Sequence, residues 1–64
     1  MEDYEIRIVG KHRGSLTYVG PQVNDQSAVR QAQAYSREED GVEVWREDTC
    51  LYFRNARPAL PFAA

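Results

Sequence analysis

From Tyr4 to Val9 apolar and polar positions alternate. Tyr4, Ile6 and Ile8 fall on one side, and Glu5, Arg7 and Val9 on the other. A period of two with β-branched residues predicts a strand. Ser15 to Val19 predicts a second, with Leu16 and Tyr18 on one face, and Gly10 to Gly14 joins the two as a loop. Pairing Val9 with Ser15 sets Ile8 opposite Leu16 and Ile6 opposite Tyr18. All four then share a face, as a half-buried hairpin requires. Gly20-Pro21 is expected to end the second strand.

The period then changes. Asn24 or Asp25 can cap a helix by accepting from free backbone N–H groups. Ala28, Ala32 and Tyr35, with Val29 at the edge, form an apolar stripe, and Arg30, Gln33 and Arg37 lie opposite. That spacing predicts a helix from about Asp25 to Glu39. The two alanines allow close approach to a sheet, with Tyr35 as a bulky anchor. Glu38, Glu39 and Asp40 oppose the helix dipole, so the last turn is expected to fray. Gly41 suits the left-handed residue that closes a helix.

Val42 to Arg46 and Thr49 to Arg54 predict third and fourth strands. With Glu47-Asp48 at the turn, Val44 faces Leu51 and Val42 faces Phe53 as a second core patch. Trp45 then faces Cys50, and Glu43 faces Tyr52, on the other side. The order is ββαββ. The expected fold class is α+β, one helix packed on one face of a four-stranded, mainly antiparallel sheet. One domain spans residues 1–55, followed by an extended, Pro-containing tail at 56–64. Strand orders 2-1-3-4 and 1-2-4-3 both allow antiparallel pairing throughout. Order 1-2-3-4 would make the second and third strands parallel.

The alternating strands, the Ala-rich helix starting near Asn24 and the segment Gly41-Val42-Glu43-Val44-Trp45 carry a resemblance. From Tyr4 to Arg54 the chain resembles small bacterial ββαββ domains of uncharacterised function. The resemblance implies an architecture and no activity.

Composition narrows the function classes. A 64-residue chain buries only about 60% of the surface it exposes when unfolded, so surface available for a partner matters to its stability. The net charge is -2. Affinity for nucleic acid rests largely on basic contacts to phosphate, and no basic excess is present. Residues 1–30 balance four acids against four bases, and residues 31–64 hold six acids and four bases. The single cysteine, Cys50, gives no disulfide framework. Met1-Glu2-Asp3-Tyr4 lacks the apolar core of a signal peptide. No apolar run approaches the roughly 20 residues of a membrane span. A cytoplasmic protein without membrane attachment is expected.

Candidate chemistry is sparse. His12 and Cys50 are the only residues of their kinds. The expected layout keeps them apart, so they form no nucleophile pair, and together they fall short of a four-ligand metal site. No catalytic residue, cofactor or metal is expected. The basic loop Lys11-His12-Arg13, flanked by Gly10 and Gly14, is a weak candidate for holding an anion. The acidic run at Glu38-Glu39-Asp40, with Glu43, Glu47 and Asp48, reads as solvated and lacks a calcium-loop pattern.

The strongest candidate is the sheet face away from the helix. It is expected to carry Val9, Val19, Trp45, Cys50 and Tyr52 among Glu5, Arg7, Thr17, Glu43 and Arg54. Exposed aromatic and aliphatic surface of that kind usually has a partner. Trp45, Tyr52, Arg7, Arg54, Val9 and Val19 are the expected partner-binding residues. The expected function is a non-enzymatic protein-interaction module, homodimeric through this face or bound to another protein. The Pro58–Phe62 segment is a further candidate to cover it. The alternative is a nucleic-acid-binding module in which bases stack on Trp45 and Tyr52 beside Arg7 and Arg54, with Lys11 and Arg13.

Overall fold

Alternation along the first half of the chain produces β1 (Glu2–Gly10) and β2 (Gly14–Gln22), an antiparallel hairpin in register from Glu2↔Gln22 to Gly10↔Gly14. The computed structural model describes residues 2–10 and 14–56. Ile8 lies opposite Leu16 and Ile6 opposite Tyr18, as the hydrophobic pattern predicts. The second strand does not stop at Gly20-Pro21. Pro21 pairs with Asp3, which is possible because β2 is an edge strand and the missing proline N–H need not serve a second neighbour.

The helix α1 (Asp25–Tyr35) comes next, capped by Asn24, whose side-chain Oδ1 accepts from the Ser27 N–H at 2.8 Å. Then come β3 (Gly41–Arg46) and β4 (Thr49–Arg54). The strand order is β2-β1-β3-β4, with every neighbour antiparallel. Order 1-2-4-3 and the parallel alternative are thereby set aside. The fold is α+β with ββαββ connectivity.

Ala28 and Ala32, both fully buried, bring α1 down onto the central strands. Tyr4, Ile6 and Ile8 of β1 and Val42 and Val44 of β3 complete the core, and Val29, Leu51 and Tyr52 pack at its margin. A helix with its side chains is about 10–12 Å across. Four strands about 4.8 Å apart are wider than that. One helix therefore covers the middle of the sheet and leaves residues 15–19 of β2 uncovered. Leu16 and Tyr18 share the face of Ile6 and Ile8 but are exposed, at 59% and 41%. Tyr35 is exposed too, so it does not anchor the helix as its spacing suggests.

The helix stops four residues before Glu39. Ser36 is extended, and its N–H closes the last turn on the Ala32 carbonyl. Beyond it a tight turn forms. The buried Asp40 accepts the Arg37 N–H at 2.8 Å through its carboxylate and returns its own N–H to the Arg37 carbonyl at 3.0 Å. Asp40 is thus part of a packed turn, not of a solvated acidic run. Gly41 does not close the helix. It begins β3 and makes room for the chain leaving β4, since a Cβ there would lie 3.1 Å from the Ala56 nitrogen.

The β3–β4 hairpin differs from its expected register. Arg46 pairs with Thr49 across Glu47-Asp48, and Trp45 with Cys50, as the two-residue turn requires. Glu47 takes a left-handed φ of 53° to make that turn. A bulge then intervenes between Val44 and Trp45. Val44 faces Tyr52, Glu43 faces Phe53 and Val42 faces Arg54. The extra residue is Leu51, which packs toward the core beside Tyr52. A bulge adds one residue to one strand and reverses the facing of the residues beyond it. Phe53 is therefore moved out of the core, and Tyr52 and Arg54 are moved onto the helix side.

At the start of α1 the Asp25 carboxylate joins three elements. It accepts the Tyr4 hydroxyl at 2.6 Å and the Arg46 guanidinium at 2.6 and 2.7 Å. These contacts, the Tyr4 bond first and Arg46 second, hold Asp25 below the usual carboxylate range. The bond to Asp25, with burial adding to it, pushes the Tyr4 hydroxyl above its ordinary value. A depressed carboxylate stabilises the fold above its unfolded pKa, near 3.9, and loses that contribution as pH falls through its lower folded value. A raised phenol stabilises below its unfolded pKa, near 10, and loses its contribution as pH rises through the higher folded value. Urea unfolding midpoints should therefore hold steady near neutrality and decline below about pH 4. Asp25→Asn should be less stable than the wild type near neutrality and flatten the acid decline.

Candidate interaction surface

The open face of the sheet is built from alternate residues of all four strands. β1 contributes Glu5, Arg7 and Val9, β2 contributes Thr17 and Val19, and β3 contributes Glu43 and Trp45. β4 contributes Cys50, opposite Trp45, and Phe53, opposite Glu43. Its centre is polar and already paired. Arg7 donates from Nε to the Glu5 carboxylate and lies 3.5 Å from Glu43. The Trp45 Nε1–H donates to Glu43 Oε1 at 2.7 Å. The Arg7 guanidinium sits 5.7 Å from the Trp45 ring centroid, within cation–π range. Glu5 is the main reason the Arg7 pKa lies above its ordinary value.

Four of the six expected partner-binding residues lie on this face: Arg7, Val9, Val19 and Trp45. Tyr52 and Arg54 do not, because the bulge turns them to the helix side. Arg54 there ties the helix exit to the sheet. Its Nη2 donates to the Arg37 carbonyl at 2.7 Å and to Ser36 Oγ at 3.2 Å, and its Nε to the Asp40 carbonyl at 3.2 Å. It supplies charged donors to the carbonyls of the turn that follows the helix. Lys11, His12 and Arg13 of the candidate anion loop lie outside the described residues, as does the Pro58–Phe62 segment.

Reading by alternation misses the distribution of exposed apolar side chains. Val19 is 64% exposed and Phe53 58%, on opposite flanks of the open face. On the helix side, Leu16 and Tyr18 of β2 lie exposed, and Tyr35 joins Leu16, Gly10 and Gly14 around a groove between the helix end and β2. The larger share of this surface belongs to β2 and its immediate neighbours. The available signal is the absence of any charged residue between Gly14 and Gln22.

Comparison with known proteins returns no matching family model and no significantly similar curated protein or solved structure. No helix among the described residues is long and apolar enough to cross a membrane.

Proposed function

We propose that this chain is a non-enzymatic protein-interaction module that associates with a second copy of itself through its sheet. One observation carries the reading. A chain of 64 residues leaves Leu16, Tyr18, Val19, Tyr35 and Phe53 each more than 40% exposed, on or around one sheet. Single exposed apolar residues are ordinary, but Leu16, Tyr18 and Tyr35 gather on the helix side of β2, and such a set in so small a domain marks a binding surface. Burial against another copy also adds the apolar contact that a small core lacks.

The geometry favours this over nucleic-acid binding. Two of the four side chains that reading uses, Tyr52 and Arg54, lie on the helix side. Arg7 is engaged by two carboxylates, and Glu5 and Glu43 beside it repel phosphate. Sedimentation velocity across a range of about 1 to 100 μM, the span of weak reversible association, tests the proposal. The sedimentation coefficient should rise with concentration toward that of a dimer of the 7.4 kDa chain. A monomer across the whole range would defeat it.

A further inference from the structure

We infer that the second copy pairs with the outer edge of β2, antiparallel and centred on Thr17, so that two four-stranded sheets join into one of eight strands. The inference rests on the self-association proposed above and specifies its mode.

The two edges of this sheet are built differently. β4 is six residues long, its register is broken by the bulge, and it ends on Arg54. Short length and a bulge are devices by which sheets keep other strands away. β2 is nine residues long, runs in unbroken register with β1, and carries no charged residue from Gly14 to Gln22. Among the described residues no strand pairs with its outer edge. A long, regular, uncharged edge is a template for another strand. Protection along one edge, against a single proline near the end of the other, fits an edge reserved for pairing.

Pro21 fixes the register of that pairing. It has no N–H to give to β1, so it suits a position whose backbone points off the sheet. The backbone direction alternates along an antiparallel strand. Ser15, Thr17 and Val19 share the parity of Pro21 and present their N–H and C=O groups outward. A ladder that includes Pro21 loses a donor, whereas one running from Gly14 to Gly20 loses none. The midpoint of that segment is Thr17. Ser15 then pairs with Val19 of the second copy, and Thr17 with Thr17.

The side chains are self-complementary in this register. A two-fold axis normal to the sheet keeps both helices on the same side. Leu16 comes opposite Tyr18 of the second copy, twice, and both are exposed in the single chain. Tyr35 flanks the resulting apolar strip at the helix end. Tyr18 already has one packing contact: its ring lies over Gly20, where a Cβ would come within 2.8 Å of the hydroxyl oxygen. Ordering it costs less entropy on binding than fixing a free side chain. No like charges meet, since the paired segments contain none. A partner of strongly charged sequence would find nothing on β2 to pair with, whereas a second copy finds matching apolar positions.

Sedimentation of four proteins, with tryptophan emission read over the same concentrations, tests this mode. Leu16→Lys and Val19→Lys place a charge on either face of β2 at exposed positions that the fold does not need. Phe53→Glu places one on the open face, away from β2. Circular dichroism confirms that each variant is folded. Edge pairing requires that the wild type dimerise reversibly and that both β2 variants raise its dissociation constant about 10-fold or more. Phe53→Glu should leave it unchanged, and Trp45 emission should not shift on association. A dimer weakened by Phe53→Glu and indifferent to the β2 variants, or a blue shift of Trp45, would overturn edge pairing in favour of face-to-face contact while leaving self-association intact. A strict monomer, expected if residues 57–64 or a different protein occupied this edge, would overturn both.

Discussion

Ile6→Ala is expected to cost about 2–5 kcal/mol of stability. Ile6 is 1% exposed, lies opposite Tyr18 on one side and Val44 on the other, and belongs to the cluster that receives Ala28 and Ala32. Removing three carbons there leaves a void that a rigid two-layer core fills poorly. A domain of this length has only about 3–10 kcal/mol in total, at typical values per residue. The variant should therefore lose a large share of its stability, seen as a lower urea midpoint. Urea unfolding followed by circular dichroism measures it. A loss under about 1 kcal/mol would mean that the helix does not seat on the central strands.

Arg54→Ala is expected to destabilise the fold by about 2 kcal/mol, from hydrogen bonds made by a charged donor at a half-buried site. Three acceptors lose a charged donor together: the Arg37 and Asp40 carbonyls and Ser36 Oγ. Arg54→Lys should recover little of the loss, since an ammonium cannot reproduce the planar arrangement of Nε and Nη2. Self-association of the folded fraction should be unaffected, because Arg54 serves the helix exit. Thermal unfolding and sedimentation of the same samples separate the two roles. Unchanged stability with lost association would return Arg54 to the binding surface.

How far the chain can be read from its sequence depends on how strictly each segment alternates. In β1 the period is unbroken from Tyr4 to Val9, and its register with β2 is legible to the residue. The turn at Glu47-Asp48 likewise sets Trp45 opposite Cys50. Beyond it, Cys50-Leu51-Tyr52-Phe53 is a continuous apolar run with no polar residue to mark its phase. Its bulge leaves no mark in the sequence, and alternation places Tyr52, Phe53 and Arg54 on the wrong faces. The helix end shows a different limit. Periodicity extends to Arg37, but the Asp40 side chain satisfies the Arg37 N–H and favours a turn over another helical residue. Side-chain facing is readable for Leu16, Tyr18 and Tyr35, whereas their exposure is not. It depends on where a narrow helix rests on a wider sheet, which no single segment encodes.

The candidate site is legible in outline. Arg7, Val9, Val19 and Trp45 do share the open face, but pattern alone does not reveal that Glu5 and Glu43 neutralise its centre. Nor does it distinguish the two edges, because edge identity depends on strand order. Once that order places β2 outermost, the uncharged segment Gly14 to Gln22 changes from an ordinary strand into a sheet edge with no neighbour among the described residues.

Amide hydrogen exchange at Thr17 and Val19 tests the central claim most directly. In the inferred mode both N–H groups point off the outer edge of β2, unpaired by any described strand, and enter a ladder when a second copy pairs. Their exchange should be fast in dilute solution and slow several-fold or more as concentration passes the dissociation constant, while Ile6 and Val44 stay protected throughout. Exchange at Thr17 and Val19 that is independent of concentration, in samples shown to dimerise, would contradict pairing through β2.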